Sequence, residues 1–177
     1  SIRQCNDTMA EVFALSPTEL RARRRGGTSA TPGRIDLVLP VREPFDAVGL
    51  FGWMRAHAIP GVETGDAASF ARTIRLDGGP AWFEVRQDAA GRLRLRAELT
   101  SLRDLAPLIS RLRRLFDLDA DPAAIDAGLS RHPELGPLVA RIPGVRLPAA
   151  MDADEMHPGD DRAADQRRIG EIGRAHV

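Results

Sequence analysis

The chain has 177 residues, of which 43% are apolar, so it can bury the core of one ordinary domain or of two small ones. Its 25 basic and 25 acidic residues cancel, which argues against a surface that binds polyanions over the whole molecule. The single cysteine, Cys5, excludes an internal disulfide framework and fits a reducing cytoplasm, where we expect the protein to be located. No apolar run approaches the roughly 20 residues that a membrane-spanning helix requires, so no membrane partner is expected.

Residues 1–24 have the pattern of two short helices, the second of which opens at Ser16 and Pro17. The segment SIRQCNDTMAEVFALSPTELR resembles the end of the AraC-type double helix-turn-helix. In that family a recognition helix runs into a Phe, a small apolar residue, a Pro and then an Arg. The matching positions here are Phe13, Leu15, Pro17 and Arg21.

This resemblance implies that residues 1–24 are the C-terminal remnant of a motif that binds double-stranded DNA. The candidate DNA-binding residues are Arg3, Gln4, Asn6 and Arg21. Arginine pairs with guanine and glutamine or asparagine with adenine in the major groove. The preceding helices of the motif are absent, so a solvated helix without DNA contacts is the alternative. Residues 25–33, RGGTSATPG, have the composition of a linker.

Residues 34–103 combine strand and helix patterns. Alternating apolar residues predict a strand from Ile35 to Val41, and Asp46 is the expected N-cap of a helix that ends near Ala58. Three more strands follow, the first beginning at Phe70, with a hairpin loop at 87–91. This order predicts an α+β fold, a small antiparallel sheet with helices packed on one face and flanked by helical segments.

The fourth of these strands carries Arg92, Arg94 and Arg96 on one face, beside Glu84 and Arg86 on its neighbour. Such a row could face DNA. The interspersed acids favour the alternative, in which the row forms cross-strand charge pairs on a solvated face.

The aromatic, histidine and acidic residues do not predict a base-stacking site or a metal site. Trp53 and Trp82 could stack a base, but core-edge positions are favoured. His57 has no second ligand at metal spacing. The alternating carboxylates of 117–121 suggest a calcium loop, yet Pro122 stands where such a loop requires glycine. We therefore predict no metal and no cofactor.

Residues 104–150 are predicted to be helical. An apolar stripe from Leu105 to Phe116 follows Asp104, the expected N-cap. Asp121 is expected to cap a helix that starts at Pro122, and a further short helix is predicted over 133–141.

Residues 34–154 resemble the N-terminal domain of AlkA-type DNA-3-methyladenine glycosylases. The segments that carry the resemblance are Gly61-Val62-Glu63, Phe70-Ala71-Arg72, Arg114-Leu115-Phe116-Asp117-Leu118 and Asp121-Pro122. The family implies a sheet domain packed against a helical domain, whose helix-hairpin-helix part holds a catalytic Asp. No position here corresponds to that Asp, so no catalytic residue is assigned and the chain is expected to be an inactive fragment. In many bacteria such glycosylases follow an Ada-type regulator with an AraC-type motif, the order that is seen here.

Residues 151–177 depart from the family pattern and are expected to be a non-native or disordered tail. Codons for PGDDRAADQRR can be chosen so that reading one base later gives RAMTGQQISV, close to the expected helix, which suggests a frameshift. A genuine acidic tail is the alternative. The function predicted for the parent is excision of alkylated bases. The alternatives are a sequence-specific DNA-binding transcriptional regulator and a non-catalytic accessory domain. The protein is expected to be a monomer.

Overall fold

One antiparallel sheet of five strands dominates the computed structural model, which describes residues 33–151. The strand order is β1-β5-β4-β3-β2. The strands are β1 (Arg34–Leu39), β2 (Glu63–Gly65), β3 (Ser69–Leu76), β4 (Gly79–Gln87) and β5 (Leu93–Leu99). Strands β2 to β5 form a meander. The last of them, β5, also pairs with β1, so that Leu37 lies opposite Leu95.

Four α-helices and one 3-10 turn complete the described part of the chain. They are α1 (Ala47–Ala56), the 3-10 turn (Leu102–Asp104), α2 (Leu105–Leu115), α3 (Pro122–Leu129) and α4 (Gly136–Arg141). None of the helices within residues 33–151 is long and apolar enough to cross a membrane.

The core lies between one face of the sheet and the helices α1 and α2. The inward residues of α1 include Leu50 and Phe51, and those of α2 include Leu108 and Leu112, all of them buried. Phe116 joins the two groups, because its ring meets that of Phe51 edge-on at a centroid distance of 5.9 Å. The core is continuous from the sheet into α2. An antiparallel sheet with helices on one face confirms the predicted α+β class.

Local sequence signals explain two helix starts. The Asp46 carboxylate accepts a hydrogen bond from Gly49 N at 2.9 Å and caps α1. Asp121 caps α3 in the same way, accepting from Ala124 N at 3.0 Å. Both caps confirm the prediction from sequence, since each occupies a backbone donor that has no partner within its helix.

Two local expectations are wrong, and one strand has no counterpart among the predictions. Asp104 does not cap α2 with its side chain; its buried carboxylate accepts from Gly78 N at 3.0 Å and so ties the β3–β4 turn to the helix. The last helix begins at Gly136, because the stretch before it forms turns. Strand β2 was not foreseen, since three residues are too few to show alternation.

Candidate functional site: a charge-paired sheet face and an apolar groove

The solvent face of the sheet is covered by ion pairs. Arg96 lies 3.7 Å from Asp36 and 3.8 Å from Glu84. Arg86 lies 3.2 Å from Glu84 and 3.3 Å from Asp66. Hydrogen bonding to Glu84 is the main reason that the pKa of Arg86 is raised. The row of arginines thus forms cross-strand charge pairs, as the interspersed acids predict, and its charge is largely compensated within the sheet.

Asp88 organises the hairpin at one end of this face. Its Oδ2 accepts from Arg92 Nε at 2.9 Å and from Arg94 Nε at 3.2 Å, while Oδ1 accepts from two backbone N–H groups of the loop. Desolvation is the largest single influence on Asp88 and raises its pKa, but the hydrogen bonds together outweigh it and lower the pKa from 3.8 to about 2. The carboxylate is therefore fixed in its ionised form, which suits a structural role.

A buried ion pair joins two of the segments that carry the family resemblance, Gly61-Val62-Glu63 and Phe70-Ala71-Arg72. Glu63 on β2 lies opposite Arg72 on β3, and Arg72 Nη1 donates to Glu63 Oε1 at 2.8 Å. Their side chains are 10% and 2% exposed. The second oxygen of Glu63 accepts from Ile59 N at 2.8 Å, which fixes the turn after α1. These two residues thus attach the edge strand to the sheet.

An open groove of about 370 Å³ lies between α1 and the extended segment 145–148. Its lining residues are Asp46, Gly49, Leu50, Trp53, Val145, Arg146, Leu147 and Pro148. Trp53 is 50% exposed and stacks on His57 at a centroid distance of 4.1 Å, so it does not cover the core as expected from sequence. Leu147 is 78% exposed at the groove.

The wall of this groove is held in place by the buried Arg146. Its Nη2 donates to the carbonyls of Arg42 at 2.6 Å and Pro44 at 3.2 Å, and its guanidinium lies 5.3 Å from the centre of the Phe45 ring. Nearby, Asp46 N donates to Gly144 O at 3.0 Å. Because these contacts join residues a hundred positions apart, the groove has a fixed shape although one wall has no regular secondary structure.

Further apolar side chains are exposed on α3 and α4. Ile125 and Leu129 are four residues apart on α3 and share one side of it, while Leu135, Leu138 and Ile142 follow helical spacing along α4. None of these five residues is among those that line the groove.

Within residues 33–151 no group of three or more His, Cys, Asp or Glu could hold a metal ion. The predicted DNA-binding residues, which are Arg3, Gln4, Asn6 and Arg21, lie outside the described residues and stay a prediction, as do the two helices of residues 1–24 and the tail. The groove could not be found from sequence because its walls are formed by segments about a hundred residues apart.

The described residues thus form a charge-paired antiparallel sheet backed by one helical layer, which is an α+β module. A family model described as the AlkA N-terminal domain matches residues 36–152. The chain therefore belongs to the AlkA N-terminal domain family.

The chain is also similar in sequence to longer proteins of two bacteria. A protein of Mycobacterium tuberculosis, found in two strains and named "Probable bifunctional transcriptional activator/DNA repair enzyme AlkA", is 40% identical over 159 residues, covering 88% of this chain and 32% of its own length. "DNA-3-methyladenine glycosylase 2" of Escherichia coli is 30% identical over 116 residues, 64% of this chain and 38% of that protein. The chain thus spans about a third of the length of these relatives.

A solved structure supports the fold. The 3-methyladenine DNA-glycosylase from Archaeoglobus fulgidus superposes with a TM-score of 0.56 at 13% identity, over 78% of this chain and 49% of that one. At this identity the likeness concerns the fold alone.

Proposed function

We propose that this chain is the N-terminal scaffold of an AlkA-type DNA-3-methyladenine glycosylase that follows an Ada-type regulator. Its intact parent hydrolyses the N-glycosidic bond of alkylated bases in double-stranded DNA. The parent works as a monomer in the cytoplasm, without a metal or cofactor. This chain supplies none of the chemistry.

The match to the AlkA N-terminal domain over 36–152 is the observation that carries this proposal. It is supported by the role of the family-like segments in the sheet, where Arg72 on β3 donates to Glu63 on β2 and so holds the edge strand in place.

The fused regulator is supported by the extent of similarity to the M. tuberculosis relative. The match covers 88% of this chain, which is a larger share than residues 36–177 make up. It therefore includes residues that lie upstream of the family match. We assign residues 1–24 to the end of an AraC-type helix-turn-helix, 25–33 to a linker, 34–103 to the sheet domain and 104–150 to helices that lead into the glycosylase domain. Residues 152–177 are assigned to a tail that departs from the family sequence; Met151 does not belong to it, because its side chain is buried in the core.

An excision assay tests the proposal. The test compares the 177-residue chain with a chimera, in which residues 1–151 are followed by the part of the M. tuberculosis relative that lies downstream of its matched segment. Both are incubated with methylated duplex DNA, and free 3-methyladenine is measured. We expect release by the chimera only; release by the chain alone, or by neither, contradicts the proposal.

A second candidate function is transcriptional regulation, which the words "transcriptional activator" in the relative's name favour. In this function Arg3, Gln4, Asn6 and Arg21 contact DNA. A second fusion tests it, in which the part of the M. tuberculosis relative that lies upstream of its matched segment precedes this chain. Sequence-specific binding of a promoter fragment by this fusion is expected, and binding that does not depend on sequence contradicts the second function. Binding by the 177-residue chain alone should be weak, independent of sequence and strongly reduced by salt.

A further inference from the structure

The exposed arginines of the sheet fall into two groups. Those of the first group are ion-paired and lie on β4, on β5 and at the hairpin between them; they are Arg86, Arg92, Arg94 and Arg96. The second group consists of Arg34 on β1 and Arg75 on β3, and neither makes an ion pair with any residue of 33–151. The charge of the second group is therefore available to a partner.

The cross-strand register places Arg34 and Arg75 near one end of the solvent face. Arg34 lies opposite Glu98. Glu98 in turn lies opposite Trp82, and Trp82 opposite Thr73. Residues paired in this way share a face, and Arg75 shares it too because it is two residues from Thr73. Three strand spacings, or about 14 Å, separate the two arginines, which is comparable with the width of about 12 Å of the DNA major groove.

A third exposed arginine lies at this end of the sheet. Arg103 belongs to the 3-10 turn after β5. Asp104 of the same turn accepts from Gly78 N, which fixes the 3-10 turn beside the β3–β4 turn. Arg103 makes no ion pair within residues 33–151 either. We call the three arginines Arg34, Arg75 and Arg103 the basic end.

The chain enters the sheet at the basic end. Gly33 has a φ of 99°, and its carbonyl accepts from Leu99 N at 3.0 Å, so the entry point is held against the end of β5. Directly upstream in sequence, residues 20–33 contain four arginines and no acid. Two exposed acids at the basic end, Asp77 and Glu98, offset this positive charge only in part.

We propose that the basic end contacts phosphates of double-stranded DNA beside the segment that the helix-turn-helix binds. This inference rests on the proposed function, because it takes residues 1–24 as the end of that motif. Arginine side chains that bind phosphates position a protein on the duplex without reading its sequence. The sheet domain thus adds affinity for DNA and leaves sequence specificity to the motif.

The linker limits where this contact can fall. Residues 25–32 number eight and span at most about 28 Å when fully extended. Since base pairs rise by about 3.4 Å each, the basic end reaches DNA within about eight base pairs of the motif. A short tether also gives a high local concentration, so that a few weak contacts contribute to binding.

Salt dependence of DNA binding counts the phosphate contacts. The 177-residue chain is titrated with a labelled duplex of arbitrary sequence at several salt concentrations, and the logarithm of the binding constant is plotted against that of the salt concentration. Each phosphate contact contributes about 0.9 to the slope. The double variant Arg34→Ala with Arg75→Ala should therefore lower the slope by about 1.8. Arg34→Lys with Arg75→Lys should keep it, because the contact requires the positive charge.

The paired arginines of the same face provide a matched control. Arg86→Ala with Arg94→Ala removes the same charge, but from positions that are ion-paired to Asp66, Glu84 and Asp88. The slope of this control should stay close to that of the unmodified chain. Equal losses in the two double variants, or no loss in either, would overturn the proposal.

The fusion that carries the upstream part of the M. tuberculosis relative tests the position of the contact. Hydroxyl-radical footprinting on the promoter fragment should show protection that extends up to about eight base pairs to one side of the motif. Arg34→Ala with Arg75→Ala should remove this extension and retain the protection by the motif. An unchanged footprint, or no measurable DNA binding by either the chain or the fusion, would overturn the proposal.

The same measurements separate this proposal from the function on which it rests. Sequence-specific binding by a fusion whose footprint and salt slope ignore the basic end would refute the phosphate contact alone. Binding without sequence preference, with a slope that falls in the Arg34→Ala and Arg75→Ala variant, would refute the regulatory function and leave the phosphate contact in place.

Discussion

Substitution of Glu63 by alanine tests how the edge strand is held. The change removes the carboxylate that Arg72 Nη1 contacts at 2.8 Å and that also accepts from Ile59 N. Arg72 is 3% exposed, so its charge stays buried beside the site of the lost carboxylate. Loss of one member of a buried ion pair costs about 3–5 kcal/mol in the free energy of unfolding.

This cost should appear as a large fall in melting temperature. For a domain of this size, each kcal/mol lowers the midpoint by roughly 3–6 °C, so a fall of about 10–30 °C is expected. Thermal and urea unfolding followed by circular dichroism measure it. Arg86→Ala is the control, because Arg86 makes similar pairs while its side chain is 47% exposed, and its loss should cost about 1 kcal/mol or less.

A double-mutant cycle completes this test. The pair Glu63→Leu with Arg72→Met removes both charges, and its stability should lie closer to that of the unmodified chain than Glu63→Ala does. If Glu63→Ala costs no more than Arg86→Ala, then the pair does not hold β2 and the reasoning about the family-like segments is wrong.

Two other stability changes follow from the structure. Asp88 has a pKa of about 2 in the folded chain against an ordinary 3.8, so its contribution is present above 3.8 and is lost as the pH falls toward 2. The gap in unfolding free energy between the unmodified chain and Asp88→Asn should therefore close over that range in acid titrations; a constant gap would contradict the assignment. Gly144 has a φ of 75°, and an added Cβ would lie 2.3 Å from Pro44 O, so Gly144→Ala should lower the stability to urea by at least about 2 kcal/mol. Gly128 on α3 has open space around it, so Gly128→Ala should raise stability by up to about 1 kcal/mol, and equal effects of the two changes would be inconsistent with this geometry.

Patterns within one element were readable from the sequence. The alternation in β4 and β5 and the apolar stripe of α2 report burial directly, since side chains repeat every two residues in a strand and every 3.6 in a helix. Asp46 and Asp121 were readable as caps because a cap is satisfied within three residues. These signals sufficed for the fold class.

Features that depend on distant contacts were not readable. Asp104 has the sequence context of a cap, but Gly78, 26 positions away, takes its carboxylate. Strand β2 pairs with β3, where Glu63 lies opposite Arg72, and no local pattern predicts this pairing. The groove likewise depends on Arg146, whose partners at Arg42 and Pro44 are more than a hundred residues earlier. Family resemblance located Glu63 and Arg72 without explaining them, and their buried ion pair supplies the physical reason.

Release of 3-methyladenine from methylated duplex DNA tests the central claim most directly. With the 177-residue chain and the chimera at equal concentration, the account predicts release by the chimera and none above the spontaneous rate by the chain. Release by the chain itself would contradict the view that it is a scaffold.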